Sequence, residues 1–430
     1  MHTAIPAPSN PSFPQPSESL PQAPPIGGHV PALDGLRGLA ILLVMLLHFG
    51  ASETLPGLKK MDLSWFERAY LKVADAGGCG VDLFFVLSGF LISGILLDTK
   101  ACSRYYRTFY LRRTLRIFPL YYGVLLGIFC LAPLLSLANS PAWFKVADCQ
   151  MGLWLYCSNI VMAWEKASVY DVDWLQFGHF WSLAVEEHFY LIWPAVVFAF
   201  SRKSLMKVCV GCMTAALALR LGFYGFGHKW SAYVLTPCRM DALALGGWLA
   251  LAGRGPGGMR GLLPLARVLA PLSVVSVLIL SFAKNEIPSA AWGIGALSSS
   301  LYAVFFGGVL VFAVNCRVGT LGERLYCNRL LRTLGKYSYG LYVLHYLLRP
   351  ALRRLFPVES LAVWMGSTFL GLFIYAALAM AISLIAAWLS WHLLEKHFLK
   401  LKKYFTYQRK EESLPSVNRP AAILGLAQNA

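Results

Sequence analysis

Long apolar runs alternate with short polar segments along most of the chain. The runs fall at 36–50, 81–98, 117–137, 182–200, 205–224, 238–253, 263–283, 291–314, 333–349 and 361–394. Each is close to the roughly 20 residues that a helix needs to cross a bilayer, although the first and sixth are short and the last is long. The pattern predicts an all-α integral membrane protein with about ten transmembrane helices.

The composition agrees with a membrane location. Of the 430 residues, 57% are hydrophobic and only 14% are charged, whereas soluble domains carry about a quarter charged residues. A net charge of +17 could indicate binding to nucleic acid. The basic residues lie between the apolar runs, however, which is typical of cytoplasmic loops. We therefore expect the lipid bilayer, and not nucleic acid, as a partner.

The two ends of the chain differ from its middle. Residues 1–31 are rich in Pro, Ser, Ala and Gln and contain no apolar run that could form a core or a signal peptide. The sequence predicts a disordered tail at 1–31, a membrane domain at 32–400 and a basic, disordered cytoplasmic tail at 401–430.

Lysine and arginine counts predict the orientation. The loops after even-numbered runs, together with the C-terminal tail, carry 23 of these residues, and the other loops carry 11. Because basic residues accumulate on the cytoplasmic side, both termini are predicted to be cytoplasmic. We expect a multi-pass protein of the plasma membrane, the inner membrane where a cell has two.

The first apolar run carries ionisable residues at both ends. Arg37 and His48 are 11 residues apart, which places them on one helix face about 16 Å apart along the axis. Asp34 lies one turn before Arg37, within pairing distance. Ionisable groups on one face of a membrane helix indicate a functional site. The alternative is an arginine that reaches the interface and a histidine that binds headgroups.

A cluster of arginines precedes the third span on the predicted cytoplasmic side. Arg112, Arg113 and Arg116 lie within one turn of each other. Guanidinium groups bind phosphate through two parallel hydrogen bonds, so the cluster suits the phosphates of a nucleotide-like donor. The alternative is an ordinary anchor that follows the positive-inside rule.

The predicted orientation gathers polar residues at the opposite, outer level. They are His48, Asp82, Glu186, Glu187, Arg239, Asp241 and His345, with Tyr342 one turn before His345. Any one of them could be a structural contact between helices, but together they indicate a polar site. Cysteines such as Cys209 and Cys212 lie in apolar runs and are expected to pack in the core. We therefore expect no metal site.

Six stretches of the chain resemble the type 3 acyltransferases, ten-span membrane enzymes that O-acylate bacterial surface polysaccharides, Nod factors and some macrolides. They read LDGLRGLAILLVMLLH at 33–48, GVDLFFVLSGFLIS at 80–93, FYLRRTLRIFPLYY at 109–122, WSLAVEEHFYLIWP at 181–194, RMDALALGG at 239–247 and LGKYSYGLYVLH at 334–345. The family hallmark is an arginine and a histidine separated by ten residues, matched here by Arg37 and His48. His188 replaces a usual glutamine, and His397 a usual proline.

The resemblance implies an acyl-CoA, most often acetyl-CoA, as donor substrate, a carbohydrate or glycolipid hydroxyl as acceptor, and no tightly bound cofactor. The donor-binding residues expected under it are Asp34, Arg37, Ser88, Arg112, Arg113 and Arg116. The catalytic residues expected are His48, as general base or acyl carrier, and Glu186, Glu187 or Asp82 to orient its ring. Arg239, Asp241, Tyr342 and His345 would contact the acceptor or support the structure.

Two other functions compete with an enzyme. A transporter or flippase of a lipid-linked glycan would show two similar halves with broken helices, and the sequence contains no such repeat. A non-catalytic membrane scaffold is the third possibility. For the enzyme, the aromatic loop at 138–180, which includes Trp143 and Trp164, is a candidate acceptor surface. An interfacial aromatic belt would explain the same residues.

Overall fold

The computed structural model of the chain describes residues 30–54, 64–134, 140–286 and 291–409. Most of these residues are helical. Most of each predicted tail, at 1–29 and 410–430, lies outside the described residues.

The helices follow one another with short connections. They are α1 (Pro31–Gly50), α2 (Trp65–Asp75), α3 (Cys79–Thr99), α4 (Tyr105–Leu134), α5 (Pro141–Asp148), α6 (Met151–Trp154), α7 (Ser158–Glu165), α8 (Trp181–Ala199), α9 (Arg202–Gly225), α10 (Lys229–Val234), α11 (Thr236–Ala252), α12 (Leu263–Glu286), α13 (Ala291–Val314), α14 (Leu321–Tyr326), α15 (Arg329–Lys336), α16 (Ser338–Leu355), α17 (Val358–Met365), α18 (Thr368–Ser390) and α19 (Lys396–Lys400). A π-helical turn at Trp391–Glu395 joins the last two.

Two small antiparallel sheets accompany the helices. Strand β1 (Cys102–Ser103) pairs with β4 (Gln408–Arg409), and β2 (Asp171–Val172) pairs with β3 (Leu175–Gln176). The second sheet forms a hairpin just before α8. The all-α prediction therefore misses only these two-residue strands among the described residues.

Within the described residues, seven segments are long and apolar enough to cross a membrane. They are Pro31–Gly50, Trp65–Thr99, Tyr105–Leu134, Arg202–Gly225, Met259–Ser281, Gly295–Val314 and Thr368–Tyr404. The protein is thus a multi-pass membrane protein. The other three predicted spans are helices too, but α11 has only 17 residues, and α8 and α16 carry charged side chains that reduce their apolar character. The count of ten and the cytoplasmic placement of the termini remain predictions.

Helix α1 is held by close backbone contacts. Pro31 occupies its first turn, where no amide donor is required, and Asp34 places negative charge near the positive end of the helix dipole. Cβ atoms at Gly35 and Gly38 would collide with the carbonyl oxygens of Tyr326 and Leu331. The glycines therefore let α14 and α15 pack against α1, which fixes the position of the ionisable residues along it.

Helices α3 and α11 are similarly close. A Cβ at Gly89 would meet the carbonyl oxygen of Leu243, and one at Gly246 would meet that of Val86. Small residues permit such approach in membrane bundles. Because Gly89 is used for this contact, its neighbour Ser88 is turned about 100° away and lines a cavity described below.

The C-terminal boundary of the folded part differs from the prediction. Residues 401–409, expected to belong to a disordered tail, form a 3₁₀ turn at Leu401–Tyr404 and the strand β4. Arg112 donates hydrogen bonds to the carbonyl oxygens of Lys402 and Phe405 at 3.2 and 2.9 Å. These bonds and the pairing with β1 give hydrogen-bond partners to the backbone of residues 401–409. Sequence composition did not indicate these partners.

Candidate active site

Five helices, α1, α3, α4, α8 and α16, enclose a cavity with an empty volume of about 880 Å³, part of which is open to solvent. Its polar wall consists of Arg37, Ser88, Arg113, Arg116, Ser182, Glu186, Glu187, Tyr190, Ser338, Tyr339 and Tyr342. Six of these residues, at positions 37, 88, 113, 116, 186 and 187, were predicted as donor-binding or catalytic. Two of the five helices, α8 and α16, are among the three that are too polar or too short to count as membrane spans.

One end of the cavity is cationic. Arg37 is paired with Asp34 at 2.9 Å. Over the part of the chain that the structure describes, no carboxylate lies within the 4.0 Å ion-pair distance of Arg113 or Arg116. Arg113 instead lies 5.4 Å from the ring centre of Tyr190. Two guanidinium groups without an ion-pair partner form a site that favours an anion.

Arg112 is separated from the other two arginines of its cluster. Neighbouring residues on a helix point about 100° apart, whereas residues three positions apart share a face. Arg113 and Arg116 therefore line the cavity together, while Arg112 binds the backbone of the C-terminal segment. The geometry gives Arg112 a structural contact in place of the predicted donor contact.

The paired glutamates form another part of the wall. Glu186 and Glu187 both line the cavity. The hydroxyl groups of Ser88 and Tyr190 are 2.6 Å apart, and both side chains line the cavity together with Glu186. No hydrogen bond joins either glutamate to His48 among the described residues. The carboxylates therefore border the space beside the arginines and do not orient the histidine ring.

The remaining predicted carboxylates belong to buried ion pairs. Asp82 on α3 pairs with Arg239 on α11 at 2.7 Å. Asp241, two residues after Arg239, pairs with Arg220 on α9 at 2.5 Å. Ser299 and Ser300 of α13 complete the network through hydrogen bonds to Arg239 and Asp241. These ion pairs connect helices. For Arg239 and Asp241 this agrees with the predicted structural role. Asp82, which was predicted to orient the His48 ring, has no contact with His48.

Arg220 was not among the predicted site residues. Its side chain is buried in the structure, with only 1% of its surface exposed. The signal was present in the sequence, because Arg220 is a charge inside the apolar run 205–224. A charge within such a run requires a buried partner, and Asp241 is the nearest acidic residue in the next span.

Three histidines meet beside the cavity. The Nδ1 atom of His48 lies 2.8 Å from the Nε2 atom of His345. The Nδ1 atom of His345 lies 2.9 Å from the carbonyl oxygens of both Leu341 and Tyr342. The Nε2 atom of His179 lies 2.9 Å from the same Tyr342 oxygen. His345 was predicted as an acceptor contact or structural residue, and the structure makes it the hydrogen-bond partner of His48.

His179 was not among the predicted site residues. It is 6% exposed and lies directly before α8. A hairpin fixes the preceding residue, since Asp171 accepts a hydrogen bond from the amide of Gly178 at 2.9 Å. Its position next to the paired-glutamate motif was the signal that could have identified it.

Tyr342 connects the cavity with the histidines. Its side chain lines the cavity, and its hydroxyl group is hydrogen-bonded to Ser182 and to the carbonyl oxygen of His179. Its own carbonyl oxygen accepts hydrogen bonds from His345 and His179. A ligand in the cavity can therefore approach the histidine cluster at this residue.

The aromatic loop gives little exposed stacking surface. Trp143 is 4% exposed and packs against Trp174 with ring centres 5.3 Å apart, whereas Trp164 is 83% exposed. Trp143 is thus part of the packed interior of the loop. No group of three or more His, Cys, Asp or Glu residues in the described chain has the arrangement of a metal site.

Comparison with known proteins identifies the family. The model of the type 3 acyltransferase family, described as an acyltransferase domain, matches residues 30–389. A candidate peptidoglycan O-acetyltransferase of Bacillus subtilis, YrhL, is 29% identical over 390 residues, which is 86% of this chain and 54% of that protein. The peptidoglycan O-acetyltransferase OatA of Listeria monocytogenes is 28% identical over 336 residues, 74% of this chain and 49% of that protein.

A candidate O-acetyltransferase of Staphylococcus aureus is 26% identical over 339 residues, 74% of this chain and 50% of that protein. The chain therefore spans about half the length of the curated relatives it matches. No solved structure matches the chain. The family match covers most of the sequence and includes all five helices of the cavity, so the chain belongs to the type 3 acyltransferase family.

Proposed function

We propose that the protein is an O-acetyltransferase of the plasma membrane that moves an acetyl group from cytoplasmic acetyl-CoA to a hydroxyl of a glycan on the outer side. The observation that carries the proposal is the cavity itself. One end presents Arg113 and Arg116, which have no ion-pair partner among the described residues, and the other reaches Tyr342, next to the bonded pair His48 and His345. The relatives named as O-acetyltransferases support the reaction class.

The arginines would bind the phosphates of the donor. Arg37 and His48 stand at opposite ends of the unbroken helix α1, about 16 Å apart along its axis. The pantetheine arm of CoA has a similar extended length. With the phosphates at Arg113 and Arg116, the arm would run past Ser88 and bring the thioester to Tyr342.

The transfer follows from the position of His48. Its Nε2 atom would remove the proton from the acceptor hydroxyl while that oxygen attacks the thioester carbonyl. The hydroxyl group of Tyr342 would donate to the resulting oxyanion in place of its 3.2 Å bond to the His179 carbonyl oxygen. Collapse of the intermediate breaks the carbon–sulfur bond, and the thiolate of CoA takes the proton from His48. In the alternative order, the same nitrogen attacks the thioester first, and the CoA thiolate leaves as an acyl-histidine forms. The acceptor hydroxyl then attacks the acyl group, gives up its proton and releases the free histidine.

The acceptor is proposed as a carbohydrate hydroxyl because two of the relatives are named for peptidoglycan. His48 is partly exposed while His345 and His179 are buried. Tyr346 packs against the His48 ring with ring centres 4.3 Å apart, so an acceptor would reach the part of the ring that His345 and Tyr346 leave exposed. A transporter would need no such pairing of a cationic cavity with a histidine base.

The test is transfer of radiolabel from [acetyl-¹⁴C]CoA to extracted glycans in membranes that contain the wild type, His48→Ala or His228→Ala. His228 is an exposed histidine outside the cavity and serves as the control. Label with the wild type and His228→Ala, but not with His48→Ala, is expected. Equal label in all three, or none in any, would refute the proposed function.

A further inference from the structure

We propose that His345 is a positioning residue that fixes the tautomer of His48, in the place where hydrolases use a carboxylate. The inference rests on the proposed function, because it concerns which nitrogen of the proposed base, His48, carries the proton. It is carried by four hydrogen-bond distances among three histidine rings and two backbone carbonyl groups.

The protonation of His345 follows from its backbone partners. Its Nδ1 atom is 2.9 Å from the carbonyl oxygens of Leu341 and of Tyr342. A carbonyl oxygen can only accept, so Nδ1 must carry a proton. The same Tyr342 oxygen accepts from the Nε2 atom of His179, which brings two N–H groups to one acceptor. An unprotonated Nδ1 would instead face two carbonyl lone pairs.

The state of His48 follows in turn. A neutral His345 with its proton on Nδ1 has a lone pair on Nε2, which faces the Nδ1 atom of His48 at 2.8 Å. His48 must then donate from Nδ1. Its Nε2 atom is left with a lone pair, and no hydrogen bond to that atom exists among the described residues. The arrangement therefore leaves His48 in the tautomer that a general base or nucleophile requires.

The opposite assignment, a cationic His345, would bury a positive charge with no anionic group in contact with it among the described residues. If His345 were cationic, both of its nitrogens would donate, and His48 would hold its proton on Nε2 and lose its basic nitrogen. His345 is fully buried. The groups around it are His48, His179, Tyr342, Tyr346 and the cation Arg349, none of which is negative. A charge there would be strongly unfavourable.

The dyad also suits the next step of the reaction. When His48 accepts the acceptor proton, its Nδ1–H group still donates to His345, and the bond becomes charge-assisted and stronger. A neutral imidazole gives less stabilisation to the cation than the carboxylate of a hydrolase triad does. His345 therefore acts mainly by fixing the orientation and the tautomer of the His48 ring, and it raises the basicity of His48 less than a carboxylate would.

The test compares His345→Ala with His345→Gln in detergent-purified or nanodisc-reconstituted full-length protein. The Oε1 atom of glutamine can stand close to the former Nε2 position and accept from His48. For His345→Ala we expect kcat to fall by about 10²- to 10⁴-fold, with the KM for acetyl-CoA changed less than about threefold. For His345→Gln we expect at least a tenfold recovery of kcat at equal amounts of folded protein. A purely structural role would not show this recovery.

Two results would overturn the inference: a wild-type kcat in His345→Ala, or a glutamine variant no better than alanine. A second measurement does not depend on either variant. The ¹⁵N chemical shifts of histidine-labelled wild type, with His48 assigned by its absence in His48→Gln, report which nitrogen is protonated. Protonation at Nδ1 is expected, and protonation at Nε2 would refute the proposal. If the wild type transferred no label at all, the proposed function would fail instead.

Discussion

The carboxylate of Asp82 and the guanidinium of Arg239 form an ion pair 2.7 Å long between helices α3 and α11, with both side chains about 95% buried. A second pair, Asp241 with Arg220, joins α11 to α9. Charges at such depth are tolerated only when they are paired and hydrogen-bonded. The four residues thus hold together helices that support the cavity.

Asp82→Asn should destabilise the protein strongly, because it leaves the charge of Arg239 buried without a partner. We expect a loss of about 3–5 kcal/mol, measured as loss of monodisperse protein in detergent on heating. Asp98→Asn is the matched control on the same helix. Asp98 pairs with Arg254 at 2.6 Å, but both are partly exposed, so its loss should cost less than about 1 kcal/mol. Equal effects of the two changes would contradict the assignment of Asp82 to the structural network.

Arg113→Gln and Arg116→Gln should weaken binding of the donor's phosphates. We expect each change to raise the KM for acetyl-CoA about tenfold or more, since a charge-assisted pair contributes roughly 1.5–3 kcal/mol. Acetyl-pantetheine, which lacks the nucleotide phosphates, should show an unchanged KM. Arg107→Gln, an exposed arginine earlier on α4, is the control. An equal rise in KM for both donors would place the arginines at another part of the substrate.

Tyr342→Phe should lower kcat by about 10²- to 10³-fold if the hydroxyl group stabilises the oxyanion, with little change in the KM for acetyl-CoA. Tyr337→Phe, five residues earlier and outside the cavity wall, should keep the wild-type kcat. The readout is the initial rate of glycan labelling at equal amounts of folded protein. A wild-type kcat in Tyr342→Phe would move the oxyanion donor to another group.

Gly89→Ala should disturb the contact between α3 and α11, because the new Cβ meets the backbone of Leu243, which has no side-chain freedom to yield. We expect a loss of about 1–3 kcal/mol from overpacking and lower activity. Gly127→Ala provides a comparison, since no atom lies within 4 Å of its added Cβ. It should be neutral or stabilising, because alanine favours the helix. A neutral Gly89→Ala would contradict the close approach of the two helices.

Sequence periodicity was sufficient for most of the fold. The apolar runs correctly locate the long helices, and the small residues of α3 indicate close packing. The hairpin before α8 and the ordered segment 401–409 were not predictable, because they depend on tertiary partners such as Arg112. The run at 182–200 was predicted as a span, but α8 is not among the seven segments that are apolar enough to cross a membrane. Its charged side chains Glu186 and Glu187 line the cavity.

The site was predicted only in part because sequence spacing gives a residue's height along a helix but not the direction in which it faces. Orientation placed His48, Asp82 and Glu186 at one level and so suggested a carboxylate partner for the histidine. Rotation of the helices instead turns Asp82 toward Arg239 and leaves His345 as the partner of His48. The backbone acceptors that define the proton on His345 have no signature in the sequence.

The most direct test of the central claim, transfer from a cytoplasmic donor cavity to an outer histidine, uses sealed vesicles of both orientations. Inside-out and right-side-out vesicles receive external [acetyl-¹⁴C]CoA, and the label in glycans is measured for the wild type and His48→Ala. Label is expected with the wild type in inside-out vesicles alone, because only they expose Arg113 and Arg116 to the added donor. Equal label in right-side-out vesicles, or label that persists in His48→Ala, would contradict the account.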